Sequence, residues 1–151
     1  MAVPVLKKIP FFLAVSLLFL ADQLSKRIIL HTLPENSSVA VIPGVFHLTR
    51  VNNTGAAFGL FRGAGSFLIA VSAVSALLFS AYVISRWESM RLFGRAGWTL
   101  VIGGALGNLY DRFFYRYVVD FLDLRVWPVF NLADTFVCAG VALIFMGLVK
   151  K

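Results

Sequence analysis

The 151-residue chain is 60% hydrophobic and 14% charged, and it carries a net charge of +7. Soluble domains contain about 25% charged residues, so an ordinary soluble domain is excluded and one membrane domain over 1–151 is expected. The basic residues lie mainly at the ends of apolar blocks and in short loops, where Lys and Arg set membrane topology and meet anionic lipid. Membrane lipid, and not nucleic acid, is therefore the expected partner.

Four apolar blocks, each close to the roughly 20 residues that cross a bilayer, predict an all-α integral membrane protein with four transmembrane helices. The first block follows Lys7 and Lys8 in the manner of a signal peptide. No small-x-small cleavage site follows it, so we interpret this block as an uncleaved span. The predicted spans cover residues about 10–30, 64–85, 94–114 and 132–149.

The largest segment outside the spans, about residues 38–62, follows the first helix. Val39–Ile42 and Val45–Val51 are rich in β-branched and aromatic residues, and Pro43-Gly44 between them is a turn signal. We therefore expect a small extracytoplasmic β-sheet, or cradle, on the outer membrane surface, followed by a turn at 52–55.

The distribution of basic residues predicts that both termini are cytoplasmic. With four spans, the side that holds the termini and the loop 86–95 contains Lys7, Lys8, Arg86, Arg91, Arg95, Lys150 and Lys151. The longer loops 31–63 and 115–130 contain only Arg50, Arg62, Arg116 and Arg125. The two sides hold equal numbers of basic residues only if the outer helix ends are counted as well, because these carry Lys26, Arg27 and Arg112.

Acidic side chains gather at the predicted outer side of the membrane. The chain has 7 acidic residues, and five of them lie at helix ends or in short connections on that side. Acidic groups near a membrane core are costly and rare, so each is a candidate functional residue. The five are Asp22, Asp111, Asp120, Asp123 and Asp134.

Asp134 and Asp120 each have a structural and a catalytic interpretation. Asp134 follows Asn131 by three positions, which is typical of a helix start with Asn131 as the N-cap, and the helix dipole would also favour an ionised Asp134. Asp120 lies in an apolar stretch where a carboxylate loses solvation and is hard to ionise. The alternative for Asp120 is a loop acid that reaches Arg116 or Arg125.

The remaining acids favour structural roles. Asp123, close to Arg125, has the pattern of a solvated loop charge. Asp22 and Lys26 form an i,i+4 acid–base pair, which is a structural or substrate-orienting arrangement more often than a catalytic one.

A glycine motif precedes Asp111. Gly103 and Gly107 form a GxxxG pair that allows a second helix to approach closely. Gly104, Asn108 and Asp111 fall on one helical face, and Arg112 is adjacent in sequence, so a structural polar cluster is the favoured interpretation of this motif.

The available side chains favour aspartic-protease chemistry over other hydrolytic routes. Two aspartates held close share a proton, so one can activate water while the other donates a hydrogen bond to the scissile carbonyl. His31 and His47 both lie in the first outer loop, no GxSxG or HExxH motif occurs, and Cys138 is the single cysteine. No zinc site can be assembled, because the single cysteine and the two loop histidines lack suitable spacing.

Five ordered sequence blocks closely resemble the lipoprotein signal peptidase family, bacterial signal peptidase II. The blocks are 22–26 (DQLSK), 53–59 (NTGAAFG), 103–112 (GGALGNLYDR), 118–121 (VVDF) and 130–134 (FNLAD). The resemblance implies that Asp120 and Asp134 are the catalytic dyad. It also implies supporting or substrate-binding roles for Asp22, Lys26, Asn53, Gly55, Gly104, Asn108, Asp111, Arg112 and Asn131.

The resemblance further implies a substrate and a location. The substrate would be a prolipoprotein whose lipobox cysteine carries a diacylglyceryl group, cleaved just before that cysteine at the outer face of the bacterial cytoplasmic membrane. The family is inhibited by globomycin and needs neither a metal nor an organic cofactor, and we expect an active monomer. This chain departs from the family pattern in having a shorter connection between Asp120 and Asp134.

Two non-enzymatic functions are alternatives. A small transporter or channel would use the polar helix ends as an ion path, but it would need acids distributed through the membrane depth. A structural membrane subunit would not account for Asn131 and Asp134 lying on the same side as Asp120.

Overall fold

The computed structural model describes residues 8–55 and 65–149. Its helices are α1 (Ile9–Thr32), α2 (Gly65–Arg86), α3 (Leu92–Tyr115) and α4 (Leu132–Val149). Its strands are β1 (Ser38–Ile42), β2 (Phe46–Asn53) and β3 (Val118–Asp123), and a short 3₁₀ turn, Trp87–Ser89, follows α2. The described part of the chain is thus mostly helical with a small sheet, as predicted, and each predicted span overlaps one described helix.

Within the described ranges, three helical segments are long and apolar enough to cross a membrane: Ile9–Thr32, Gly65–Ser89 and Leu132–Val149. Their outer surfaces carry exposed side chains such as Leu17 and Leu77. Exposed leucines on long apolar helices are suited to contact with lipid rather than water.

Helix α3 is more polar than the other three, and it packs against all of them. Three of its polar side chains, Thr99, Asn108 and Asp111, are buried. A helix that is surrounded by its neighbours can carry such groups because other protein atoms satisfy them. The polar face of α3 therefore lies inside the bundle.

Glycines allow α3 to approach its neighbours closely. A Cβ added at Gly97 would lie 2.7 Å from the backbone oxygen of Gly140 in α4, and one added at Gly103 would lie 2.8 Å from Cβ of Leu18 in α1. At Gly107 the added atom would collide with the carboxylate of Asp22. The close approach predicted from the Gly103–Gly107 pair is confirmed, and the helix that makes it is α1.

The sheet has the order β1–β2–β3, and both neighbouring pairs are antiparallel. The predicted hairpin of β1 and β2 is confirmed, and Gly44 in its turn has a φ of +74° that favours glycine. Residues 52 and 53 still belong to β2, so the turn predicted at 52–55 begins later. The part of the predicted strand region from 56 to 62 lies outside the described residues.

The third strand, β3, was not predicted, because residues 115–130 were expected to form an outer connection. After α3 ends, Arg116 adopts a left-handed conformation with a φ of 66°, and the chain turns back toward the bundle. Val119 and Phe121 of β3 are buried together with Ile29 of α1. This packing holds the middle of β3 against α1, and Asp120, between these two residues, is itself buried.

Candidate active site

Asp134 lies in the first turn of α4, in a reciprocal cap with Asn131. The backbone N–H of Asp134 donates to Oδ1 of Asn131 at 2.9 Å, and the backbone N–H of Asn131 donates to Oδ2 of Asp134 at 3.3 Å. This arrangement satisfies two amide groups at the helix start and fixes the Asp134 carboxylate beside the positive end of the helix. The predicted cap is confirmed.

Asn131 also connects Asp134 to Asp120. Its side-chain nitrogen donates to Oδ1 of Asp120 at 2.7 Å and to the side-chain oxygen of Asn108 at 3.1 Å. Asn108 in turn donates to Oδ1 of Asp134 at 2.7 Å. Because Asn131 has no exposed surface, its amide is held in one orientation. Two asparagines therefore join both carboxylates in one buried network.

The second carboxylate oxygen of Asp120 accepts a hydrogen bond from a residue of the neighbouring strand, β2. Val51 of β2 is paired opposite Asp120, and Asn53, two residues further, points to the same face of the sheet. Its side-chain nitrogen donates to Oδ2 of Asp120 at 2.9 Å. The backbone N–H of Gly55 donates to Oδ1 of Asn53 at 2.9 Å, which orients the amide so that its NH₂ group faces Asp120.

Burial raises the pKa of Asp120 to about 7, and the negative charge of Asp134 raises it as well. Hydrogen bonds from Asn53 and Asn131 to the carboxylate, and the charge of Lys26, act in the opposite direction. Near neutral pH, Asp120 is therefore divided between its protonated and ionised forms. This is the property expected of one member of an acid pair that shares a proton.

A buried ion cluster lies directly behind the two asparagines. Nζ of Lys26 is 2.8 Å from Oδ2 of Asp22 and 2.9 Å from Oδ2 of Asp111. The same nitrogen donates to the side-chain oxygen of Asn108 at 3.0 Å. All three protons of the ammonium thus have partners, and the third bond fixes which end of the Asn108 amide faces Asp134.

The carboxylates of the ion cluster also hold backbone groups. Oδ1 of Asp22 accepts the N–H of Ala133 at 2.9 Å, and Oδ2 of Asp111 accepts the N–H of Val119 at 3.2 Å. Ala133 precedes Asp134, and Val119 precedes Asp120. The cluster therefore positions the two chain segments that carry the candidate dyad. The polar cluster predicted for Asp111 and the pairing of Asp22 with Lys26 are both present.

Gly104 and Arg112 contact the site in different ways. A Cβ at Gly104 would collide with the backbone oxygen of Ala133, so glycine is what allows the start of α4 to pack against α3 here. Arg112, near the end of α3, interacts electrostatically with Asp134, Asp120 and Asp111. A cation in this position offsets part of the negative charge that the site concentrates.

Asp123 belongs to a separate arrangement. Its Oδ2 lies 2.9 Å from Nη1 of Arg125 and accepts a hydrogen bond from Thr49 at 2.7 Å. Burial raises the pKa of Asp123, but the bonds from Thr49 and Arg125 outweigh it and hold the pKa below its usual range. The predicted proximity to Arg125 is confirmed, whereas the prediction of a solvated side chain is wrong, since Asp123 is only 5% exposed.

Gln23 is a site residue that the sequence analysis missed. Its side-chain nitrogen lies 3.1 Å from Oδ2 of Asp22, 2.9 Å from Oδ1 of Asp111 and 3.3 Å from the backbone oxygen of Gly107. The available signal was its position beside Asp22 and three residues before Lys26, where helical spacing brings side chains close together. Gln23 links the two carboxylates that share Lys26.

Among the residues that the structure describes, no group of three or more His, Cys, Asp or Glu side chains is arranged to hold a metal ion. The chemistry that the described groups can supply is proton transfer between two linked carboxylates and water.

Comparison with known proteins identifies the family of the chain. Residues 14–150 match the family model described as signal peptidase (SPase) II. The lipoprotein signal peptidase of Halothermothrix orenii is 41% identical over 138 residues, covering 91% of this chain and 93% of that protein. The lipoprotein signal peptidase of Moorella thermoacetica is 45% identical over 136 residues, covering 89% of each chain.

Solved structures give the same result for the fold. One bacterial membrane enzyme superposes with a TM-score of 0.85 at 32% identity, covering 93% of this chain and 88% of its own. A second structure described as a bacterial membrane enzyme has a TM-score of 0.83 at 31% identity and covers 94% of both chains. The fold and the sequence matches together define a membrane protease of bacterial type. The chain belongs to the signal peptidase II family, the lipoprotein signal peptidases.

Proposed function

We propose that Asp120 and Asp134 are the catalytic dyad with which this lipoprotein signal peptidase cleaves its prolipoprotein substrate. The observation that carries the proposal is the bridge through Asn131, which bonds to both aspartates, while burial raises the pKa of Asp120 to about 7. Two linked carboxylates of this kind retain one proton between them at neutral pH.

In the proposed reaction, Asp134 begins ionised and Asp120 begins protonated. Asp134 takes a proton from a water molecule as its oxygen attacks the scissile carbonyl, and Asp120 donates its proton to the carbonyl oxygen. The resulting gem-diol collapses when Asp134 passes its proton to the peptide nitrogen and Asp120 recovers a proton from the diol. The C–N bond breaks, yielding a carboxylic acid and an amine with no covalent enzyme intermediate and no cofactor.

The supporting residues would divide into three groups. Asn53, Asn108 and Asn131 orient the carboxylates, with Gly55 fixing the amide of Asn53. Asp22, Lys26 and Asp111 hold the backbone of both catalytic segments, and Gly104 permits their close packing. Arg112 offsets the charge of the dyad as the oxyanion develops. The hydrogen bonds and close approaches of these residues support the roles, and for Arg112 the support is its electrostatic interaction with Asp134 and Asp120.

We propose that the substrate is a diacylglyceryl-modified prolipoprotein, cleaved before its lipidated cysteine by one enzyme monomer. A globomycin-type cyclic peptide would compete for the same site. The family membership supports a lipid-bearing substrate, and a site at the end of a helix bundle would let acyl chains remain in the bilayer while the peptide reaches the dyad.

We propose further that α3 is the fourth transmembrane helix, that both termini are cytoplasmic, and that the sheet forms a cradle on the outer surface. Helix α3 has 24 residues, and at about 1.5 Å per residue it is long enough to span the membrane. The dyad then lies at the outer face. The acids gather at the sheet end of the bundle, which disfavours a transporter or channel path through the full depth.

The dyad is tested by cleavage of a diacylglyceryl-modified prolipoprotein by purified wild type, Asp120→Asn and Asp134→Asn, with folding checked in detergent. Asp123→Asn is the matched control, because it lies on the same strand three residues from Asp120 but pairs with Arg125. We expect both dyad variants to fold and to lose cleavage while the control keeps it. Near-normal cleavage by either folded dyad variant would refute the assignment.

A further inference from the structure

Strand β2 contains one residue more than β3 over the segment that leads to the dyad. Leu48 is paired opposite Leu122, and three residues further along β2, Val51 is paired opposite Asp120. Leu122 and Asp120 are only two residues apart, so β2 carries an extra residue at 49–50, which forms a β-bulge. Bulges are frequent next to active sites, where they change the direction in which a side chain points.

The bulge determines which of two consecutive asparagines faces Asp120. In the observed register, Asn53 lies on the same face as Asp120 and donates to its carboxylate at 2.9 Å. Without the extra residue, Arg50 would lie opposite Asp120, and Asn52 would lie on the face that Asn53 now occupies, because side chains alternate along a strand. The side-chain oxygen of Asn52 is buried without a hydrogen-bond partner among the described residues, so it gains nothing from the observed register.

The backbone of Arg50 is held on the side of β2 that faces away from β3. Its N–H donates to the backbone oxygen of Ser37 at 3.0 Å, and its backbone oxygen accepts the N–H of Asn36 at 2.9 Å. Both partners lie in the connection between α1 and β1. The bulge is therefore fixed to this connection.

The side chain of Arg50 is attached to the end of α1. Its Nη1 donates to the backbone oxygen of Leu33 at 3.0 Å and to that of Leu30 at 3.3 Å. Carbonyl groups in the last turn of a helix lack partners within the helix and carry its negative end, so a cation is favourable there. Nε of Arg50 is buried without an acceptor among the described residues, so Nη1 makes the attachment.

Helix α1 gives this attachment a fixed position relative to the dyad. Asp22 of α1 accepts the N–H of Ala133, the neighbour of Asp134, at 2.9 Å, and Ile29 of α1 packs against β3. A group that is bonded to the end of α1 is therefore placed relative to both strands of the site and to the start of α4. Arg50 is such a group.

We propose that Arg50 is a positioning residue for the cleavage reaction: it anchors the β-bulge to the end of α1 and so keeps Asn53, and not Asn52, directed at Asp120. The inference rests on the proposed function, in which Asp120 and Asp134 are the dyad. Arg50 acts through Asn53 on the catalytic acid and not on the substrate. Its loss should therefore lower kcat and leave KM nearly unchanged.

A double-mutant cycle between Arg50 and Asn53 tests this role. Arg50→Met keeps an unbranched side chain but carries no charge and donates no hydrogen bond. We expect Arg50→Met and Asn53→Ala each to lower kcat about tenfold, with KM within about twofold of wild type. The double variant should be no slower than Asn53→Ala alone, because both substitutions remove the same contact with Asp120.

Arg27→Met is the matched control, because Arg27 is also a cation in the second half of α1 but its side chain is exposed. This variant should keep the wild-type kcat. Wild-type kcat in folded Arg50→Met, or losses that multiply in the Arg50→Met, Asn53→Ala double variant, would overturn the proposal.

Two further variants keep the result interpretable. If Arg50→Met does not fold, Arg50→Lys replaces it, since a single ammonium group cannot reproduce the guanidinium geometry. Asn53→Ala should then cost less in Arg50→Lys than in wild type, and an equal cost in both backgrounds would overturn the role of Arg50. Asp120→Asn is assayed in parallel: retained cleavage would refute the dyad itself, whereas lost cleavage together with independent effects at Arg50 and Asn53 would refute only this inference.

Discussion

The side-chain amide of Asn131 donates to Oδ1 of Asp120 at 2.7 Å while its own oxygen accepts the first-turn N–H of α4 at 2.9 Å. A residue that caps a helix thus also fixes one carboxylate of the candidate dyad. The cap and the catalytic arrangement are compatible, because the helix end that needs an acceptor is also the place where a negative charge is most stable.

The pH dependence of cleavage follows from the raised pKa of Asp120. The proposed mechanism requires Asp120 to be protonated, so activity should decline as pH rises through the apparent pKa of the pair, near the value of about 7 for Asp120. We expect kcat/KM measured between pH 5 and pH 9 to show this alkaline limb. Its midpoint should lie within roughly one pH unit of the pKa of Asp120. A rate that increases steadily through neutral pH would contradict a protonated Asp120.

Asn53 should control the position of that alkaline limb. Its amide stabilises the ionised form of Asp120, so Asn53→Ala removes a donor and raises the pKa of Asp120 further. The limb should move to higher pH, with a lower maximal rate. Asn52→Ala, one residue away on the opposite face of β2, should leave it in place, and an unshifted limb in Asn53→Ala would show that Asn53 does not tune the dyad.

Lys26→Met should strongly destabilise the fold. The substitution leaves Asp22 and Asp111 buried without their shared cation, and breaking a buried ion pair costs about 3–5 kcal/mol. Thermal unfolding in detergent is the measurement, and Arg27→Gln, at the exposed neighbouring position, is the control. Equal Tm values for the two variants would mean that the cluster does not hold the bundle together.

Gln23→Leu should have an intermediate effect on stability. Leucine has a similar size but donates no hydrogen bonds, while Asp22 and Asp111 retain Lys26 and their backbone donors. The loss should be about 1–3 kcal/mol, so that Tm falls less than in Lys26→Met. Thermal unfolding in detergent again measures the two Tm values. A larger fall in Tm for Gln23→Leu than for Lys26→Met would contradict this prediction.

Gly104→Val should displace α4 from α3. Even a Cβ at this position collides with the backbone oxygen of Ala133, and that backbone cannot move without moving Asp134. We expect loss of cleavage together with a lowered Tm. Gly94→Ala in the same helix is the control, because its Cβ would meet only Met90 at 3.9 Å. Wild-type activity in Gly104→Val would show that the helices can separate there without cost.

Local patterns were sufficient for the helices and the hairpin. Apolar blocks located the four described α-helices to within a few residues, and Pro43-Gly44 located the turn between β1 and β2. By contrast, β3 was assigned to a loop. Its residues are valine and phenylalanine with an aspartate between them, and only pairing with β2 and packing on Ile29 distinguish them from an apolar connection.

The sequence by itself determined the family, the helical composition and the set of candidate carboxylates, because these depend on residue types and on spacing along the chain. It left Asp120 open between a dyad member and a loop acid near Arg125. The tertiary structure decided the partners: Arg125 binds Asp123, whereas Asn53 and Asn131 bind Asp120. These contacts join residues far apart in sequence, and their geometry depends on how three helices and a sheet pack together.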